Sequence, residues 1–141
     1  MFEQWQSTIT ANTTEANPVR RECKISQGVL KKVAVYFPFG VEYYARCRVL
    51  LGQKPLLPRS SSGYVTANGV LVDTGEIMER VREDLPVLAW EVWNLDDTNN
   101  HTLTLSATWV TKEEADVVRE IMEQSNRYLE ALAKVITGGR M

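Results

Sequence analysis

Residues 101–114 read HTLTLSATWVTKEE, and within this stretch the sequence changes from a strand period to a helix period. Apolar residues first alternate with hydroxyl residues, a pattern typical of a strand with one buried face; the apolar positions are Leu103, Leu105, Ala107 and Trp109. Thr111 and Glu114 then have the spacing of a capping box, in which a hydroxyl and a carboxylate satisfy backbone N–H groups at a helix N-terminus. The sequence therefore predicts a strand over residues 101–110 that runs directly into a helix.

The residues before this stretch contain further short runs of strand-forming residues, separated by turn signals at intervals of about ten residues. The runs are residues 19–25, 29–37, 43–51, 64–67, 70–73 and 87–93. The last run is almost continuously apolar, which predicts a central strand buried on both faces. No helix of crossover length separates the runs, which argues against a parallel α/β sheet. We therefore predict an all-β fold, an antiparallel β-sandwich with a jelly roll as one arrangement of its strands, followed by one long C-terminal α-helix.

Two turns are informative. Asn68-Gly69 favours a two-residue hairpin turn between the runs that flank it, because both residues readily adopt positive φ. Residues 76–82 fit a short strand and a helical turn equally well, so both interpretations stay open.

Length and composition limit the classes of protein to consider. The chain has 141 residues, 44% of them hydrophobic and 24% charged, with a net charge of −2, as expected of one globular domain. The near-balance of charge gives no overall basic field for nucleic acid, and no apolar run is long enough to span a bilayer. The first residues lack a basic region followed by an apolar one, so no secretory signal is expected. We divide the chain into an N-terminal arm (1–18), a β-sandwich domain (19–110) and a C-terminal helix with its tail (111–141).

The C-terminal helix carries the strongest functional signal. Apolar residues recur at spacings of four and three, interrupted by Ser125, until Gly138-Gly139 offers a C-terminal cap. This stripe covers a sheet of its own domain or meets another molecule. We favour the second interpretation, because a small sandwich rarely needs so long an appendage, and predict an oligomer interface at Val118, Met122, Leu129, Leu132 and Ile136.

Other candidate sites give weaker signals. Asp96, Asp97 and Asn99 lie in one polar loop and could bind Ca²⁺, but capping of the turn by their own side chains is the favoured interpretation. A small hydrolase would have to use Glu83, Asp84 or His101, and no recognisable nucleophile motif accompanies them. We expect no catalytic residue, no cofactor and no resident metal.

Aromatic residues and cysteines raise two more hypotheses. Trp5, Tyr43 and Tyr44 are the candidates for stacking on a sugar, with Trp5 the most exposed of the four tryptophans. Cys23 and Cys47 both fall on expected core positions. They could pair if their strands are neighbours, and we favour two buried free thiols.

Two segments resemble a family. Residues 25–33, which lead into Phe37-Pro38-Phe39-Gly40, look like the start of small β-sandwich proteins common in phage and prophage genomes. Residues 93–102, WNLDDTNNHT, are similar to the closing hairpin of those proteins. The resemblance covers about residues 19–110 and excludes the C-terminal helix. It rests on the order and spacing of strands and turns. It implies a virion structural component, namely a capsid, decoration or spike subunit, and no catalytic residues.

Together these observations predict a non-enzymatic virion structural protein. It would self-assemble through its sandwich edges, N-terminal arm and C-terminal helix, as a homo-oligomer in contact with other virion or assembly proteins and without direct nucleic-acid binding. The expected location is the virion, or a cytoplasmic or extracellular assembly. The alternative is a carbohydrate-binding or adhesion module.

Overall fold

The computed structural model describes residues 1–60, 62–81 and 87–138. Within these residues the chain forms nine β-strands and one α-helix. In chain order they are β1 (Phe2–Ile9), β2 (Val19–Lys24), β3 (Gly28–Phe37), β4 (Ala45–Leu51), β5 (Lys54–Leu57), β6 (Val70–Asp73), β7 (Glu79–Val81), β8 (Val87–Asn94), β9 (His101–Thr111) and α1 (Lys112–Gly138).

The strands form two antiparallel sheets. The first has the order β1-β9-β3-β6, with β7 also paired to β3, and the second has the order β2-β8-β4-β5. The first strand thus pairs with the last, β2 with β8, β3 with β6 and β4 with β5, as in one long antiparallel ribbon wrapped around a core. This is the topology of a jelly roll, a two-sheet sandwich. The predicted fold class, a β-sandwich with one long C-terminal helix, is confirmed.

The core lies between the two sheets and is built by alternation along the strands. The four apolar residues predicted to face inward from β9 are 0–1% exposed, and so are Leu88, Trp90 and Val92 of β8 in the opposite sheet. The hydroxyl residues of β9, which alternate with these apolar residues, lie on the outer face of the first sheet. Because the side-chain period of a strand is two, the sequence pattern alone determined which face is buried.

The N-terminal residues form an edge strand rather than the expected free arm. β1 pairs with β9 in continuous register from Phe2 opposite Thr108 to Ile9 opposite His101. The segment after β1 is also tied to the domain, because the N–H of Thr13 donates to the carbonyl of Asn94 at 2.9 Å. The sequence of β1 is mostly polar because an edge strand has one face and one edge in solvent, which hides its period-two signal.

Asn68-Gly69 does not make the predicted hairpin. Val65 forms a bridge with Cys47 in the second sheet, whereas β6 pairs with β3 in the first, so the dipeptide carries the chain between sheets. The Asn68 side chain then stabilises a different loop, since its Oδ1 accepts the N–H groups of Gly40 at 2.8 Å and Glu42 at 3.1 Å. A turn signal determines local conformation but not the sheet to which the following strand belongs.

Two short strands complete the sheets. β5 contains Pro55 and was absent from the predicted strands; it lies at the edge of its sheet, where a residue without an N–H is tolerated. The ambiguous residues 76–82 contain β7, which pairs with the start of β3.

The two cysteines lie in strands that are not neighbours. β8 separates β2 from β4, with Cys23 opposite Leu88 and Cys47 opposite Val92. Two strand spacings come to about 9.6 Å, beyond the roughly 7 Å between Cα atoms that a disulfide bridges. Both residues are buried free thiols. Burial raises the pKa of Cys23 to about 11 and that of Cys47 well above the ordinary value of a thiol.

The helix begins as predicted. The N–H of Glu114 donates to Oγ1 of Thr111, and the N–H of Thr111 donates to Oε2 of Glu114, both at 3.2 Å. These two bonds are the reciprocal capping box. The N–H of Lys112 donates to the carbonyl of Gln27 at 2.9 Å, which ties the helix N-terminus to the residue that precedes β3.

Candidate functional site

The C-terminal helix projects from the sandwich. β9 ends at Thr111 and α1 begins at Lys112, so no linker exists to turn the helix back over a sheet. Only the base of α1 lies near the sandwich, next to β3 and β9, and residues 116–136 are all exposed. The 27 residues of the helix extend about 40 Å at 1.5 Å per residue. The interpretation in which the stripe covers a sheet of its own domain therefore does not describe this chain.

One face of α1 carries large apolar side chains, which we call the apolar stripe. Its members are between 40% and 73% exposed: Val117, Val118, Ile121, Met122, Tyr128, Leu129, Leu132, Val135 and Ile136. The five residues predicted as an oligomer interface all belong to it. The other four form a second row beside the first, at positions one residue earlier in the chain. The sequence prediction included only one row of apolar residues. Including the apolar neighbours three and four residues away from each member would have identified the second row.

The opposite face of α1 is charged. Glu120, Glu123, Arg127, Glu130 and Lys134 lie there, and Asp116 forms an exposed ion pair with Arg119 at 3.0 Å. A helix that is apolar on one side and charged on the other is suited to bury the apolar side against another surface. The apolar stripe is therefore the leading candidate functional site.

The loop between β8 and β9 is organised by the Asp96 carboxylate. Its Oδ1 accepts the N–H groups of Thr98 at 3.0 Å and Asn99 at 3.2 Å, and its Oδ2 lies 2.9 Å from Nε2 of His101. The Thr98 N–H above all, and then the His101 ring, hold the pKa of Asp96 well below its usual range. Both carboxylate oxygens are thus used within the loop, while Asp97 is exposed and its Oδ1 accepts one bond, from the Thr98 hydroxyl at 3.2 Å. This geometry is that of the capped turn rather than of a Ca²⁺ site.

Replacing Asp96 by asparagine is expected to lower the melting temperature at pH 7 by roughly 5 °C. The pKa of Asp96 is lowered in the folded state, so the ionised carboxylate stabilises the fold above the unfolded value of about 3.9, and this stabilisation is lost as the pH falls further. The difference in melting temperature should therefore shrink below about pH 4. Asp97→Asn, in the same loop, is the control and should change little. An equal acid dependence in Asp96→Asn and the native chain would contradict this role.

Of the residues considered for catalysis, the structure describes His101. His101 is directed to Asp96, inside the turn just described. Glu83 and Asp84 lie outside the described residues. Across residues 1–60, 62–81 and 87–138, no three His, Cys, Asp or Glu side chains are grouped so as to hold a metal ion.

The aromatic residues considered for sugar stacking differ in exposure. Trp5 is half-buried and packs against the core from β1, so it is not the exposed platform that the sequence indicated. Tyr43 and Tyr44 lie in the connection from β3 to β4 and are 59% and 45% exposed. Glu42 and Tyr43 both have positive φ, which turns this connection sharply and presents the tyrosines outward.

An aromatic and ionic cluster on the outer face of the second sheet was not predicted. Trp93 points away from the core but is only 1% exposed, because Tyr64 packs edge-on against it, with ring centroids 5.8 Å apart. The guanidinium of Arg48 lies 5.0 Å from the centre of the Trp93 ring, and that of Arg46 lies 4.7 Å from the Tyr64 ring. Arg48 also pairs with Glu91 at 3.3 Å. The sequence does contain a signal for this cluster. Arg46 and Arg48 occupy alternate positions of β4, on the same face as Trp93 of β8.

The fold resembles that of a protein of known structure, although the likeness is low. No protein family matches the sequence, and no curated protein matches it either. A crystal structure of FLHE is similar to this chain with a TM-score of 0.38 and 15% sequence identity, covering 77% of this chain and 96% of that one. A likeness at this level carries no argument about function, which therefore has to come from the geometry above.

In the part of the chain that the structure describes, no helix is both long enough and apolar enough to cross a membrane.

Proposed function

We propose that this protein is a structural subunit of a virion, a capsid, decoration or spike component, which assembles through its C-terminal helix. The observation that carries the proposal is the exposure of every member of the apolar stripe, by 40% to 73%, on a helix held away from its own domain. The jelly-roll sandwich then serves as a rigid block, and the helix serves as the connecting element.

The energetics of α1 favour a partner. Soluble monomers rarely expose apolar patches larger than a few hundred Å², and nine large apolar side chains lie along this helix. Most of the stability of helices in proteins comes from packing of an amphipathic face, yet only the base of α1 packs on the sandwich. Burial of the stripe in an assembly would supply the missing packing.

The fold and the sequence resemblance support a virion as that assembly. Jelly rolls are used in viral capsids and also in lectins, and fold alone does not determine function. The resemblance of residues 19–110 to phage and prophage sandwich proteins is the reason that we favour the virion in this proposal.

The sandwich edges offer a second contact. β1 is the last strand on one side of its sheet, so one edge of its backbone has no partner among the strands that the structure describes. Such an edge accepts a strand from a neighbouring subunit. The Nε of Arg21 donates to Oγ of Ser7 at 3.3 Å and joins the edges of the two sheets on this side.

Leu129→Asp combined with Leu132→Asp tests the proposal. The two charges cannot be desolvated in an apolar contact, so we expect light scattering to show a fall from an oligomer to the 16.0 kDa monomer. Circular dichroism should show an unchanged β-sheet signal. Glu123→Asp with Glu130→Asp is the control, because it places the same residue type on the charged face and should leave the oligomer intact.

A native mass equal to that of the monomer, together with an absence of particles or filaments by electron microscopy, would contradict the proposal. The exposed pair Tyr43 and Tyr44 favours the second candidate, a carbohydrate-binding or adhesion module. A monodisperse monomer that binds glycans on an array would select it.

A further inference from the structure

The two halves of α1 differ in charge. Residues 112–124 contain five acidic side chains and two basic ones, a net charge of −3. Residues 126–138 contain Arg127 and Lys134 against Glu130, a net charge of +1. The helix macrodipole has its positive end at Lys112 and its negative end at Gly138. Two such helices attract one another when they run in opposite directions and repel when they run in the same direction.

From this asymmetry and the exposed stripe, we infer that the apolar stripe is covered by the same helix of a second copy of this chain, packed antiparallel. This inference rests on the proposed function, since it identifies the partner of the assembly surface. The symmetric contact between two copies is isologous, so each residue contact occurs twice.

The midpoint of α1 determines the register. The helix runs from Lys112 to Gly138, so its centre is Ser125. A two-fold axis at this point puts Ser125 beside its own mate, and the small side chains allow the helices to approach closely. The same axis places Val118 opposite Leu132, and Ile121 opposite Leu129. Every one of these four apolar residues belongs to the stripe.

The charges that set the direction lie on the outer faces of the two helices, away from the contact between the stripes. In an antiparallel pair, Asp116 comes level with Lys134 of the other copy, and Glu123 comes level with Arg127. These side chains do not meet across the stripe, so they act through the net charge of each half of the helix rather than as ion pairs. In a parallel pair, the two acidic halves would lie side by side and repel.

Cysteine cross-linking between two variants distinguishes the directions. Val118→Cys protein is mixed with Leu132→Cys protein that carries a tag of different mass, and the mixture is oxidised and run on a non-reducing gel. Antiparallel packing predicts cross-links between the two variants, at least tenfold more abundant than cross-links within either one. The native Cys23 and Cys47 are buried and should give no background. Glu120→Cys on the charged face is the control and should remain uncross-linked when tested alone.

The outcomes separate this inference from the function on which it rests. Predominant cross-links within Val118→Cys and within Leu132→Cys would show parallel packing and overturn the inference. An oligomer by light scattering without cross-links in any mixture would show that another surface covers the stripe, which also overturns it. In both cases assembly through the helix could stand. A monomeric native chain would overturn both.

Discussion

Replacing Trp93 by alanine is expected to destabilise the sandwich by about 4 kcal/mol, since truncation of a buried tryptophan removes transfer free energy and leaves a cavity. Trp93 is 1% exposed although it faces away from the core. Its loss would also leave Tyr64 without its edge-on ring contact and Arg48 without the ring beneath its guanidinium. Urea unfolding of the native chain and the variant measures the difference.

Tyr64→Ala is the matched control for Trp93→Ala. Tyr64 is 40% exposed, so its removal deletes one aromatic contact without a buried cavity and should destabilise by about 1 kcal/mol. If the two substitutions destabilise equally, Trp93 is not the centre of the cluster. A difference of roughly 3 kcal/mol supports the packing described here.

Replacing Gly28 by alanine is expected to lower the free energy of unfolding by about 3 kcal/mol. Gly28 pairs with Val81 on one side and Thr111 on the other. A Cβ at this position would overlap the carbonyl oxygen of Val110, a backbone atom that cannot move without breaking the β3–β9 ladder. The displaced residues lie at the base of α1, so the angle at which the helix leaves the sandwich should change as well.

Gly75→Ala is the control for Gly28→Ala. It distinguishes a glycine needed for positive φ from a glycine needed because another strand approaches closely. Gly75 has φ +68° but open space around an added Cβ, so its substitution carries backbone strain alone, about 1 kcal/mol. Thermal unfolding of both variants gives the comparison. An equal loss in the two would contradict the close approach of β9 to Gly28.

The exposed helix shows what local sequence does and does not determine about a site. Thr111 and Glu114 predicted the helix start, and Leu129 and Leu132 were placed on its apolar face. The same stripe would have appeared if the helix packed on its own sheet, because amphipathic periodicity records that a face is buried and not which surface buries it. Within the chain, it is the direct continuation of β9 into α1 that keeps the stripe off its own sheets.

The sequence by itself determined the local periods of the chain, and hence β2, β3, β4, β6, β8 and β9, the inward face of β9 and the capped start of the helix, because these depend on neighbours within four residues. The tertiary structure decided the rest. It placed β1 at the edge of a sheet, carried the chain between sheets at Asn68-Gly69, separated Cys23 from Cys47 by a strand, and buried Trp93 beneath Tyr64. Each of these depends on contacts between residues distant in the chain, and the local pattern is the same whichever contacts form.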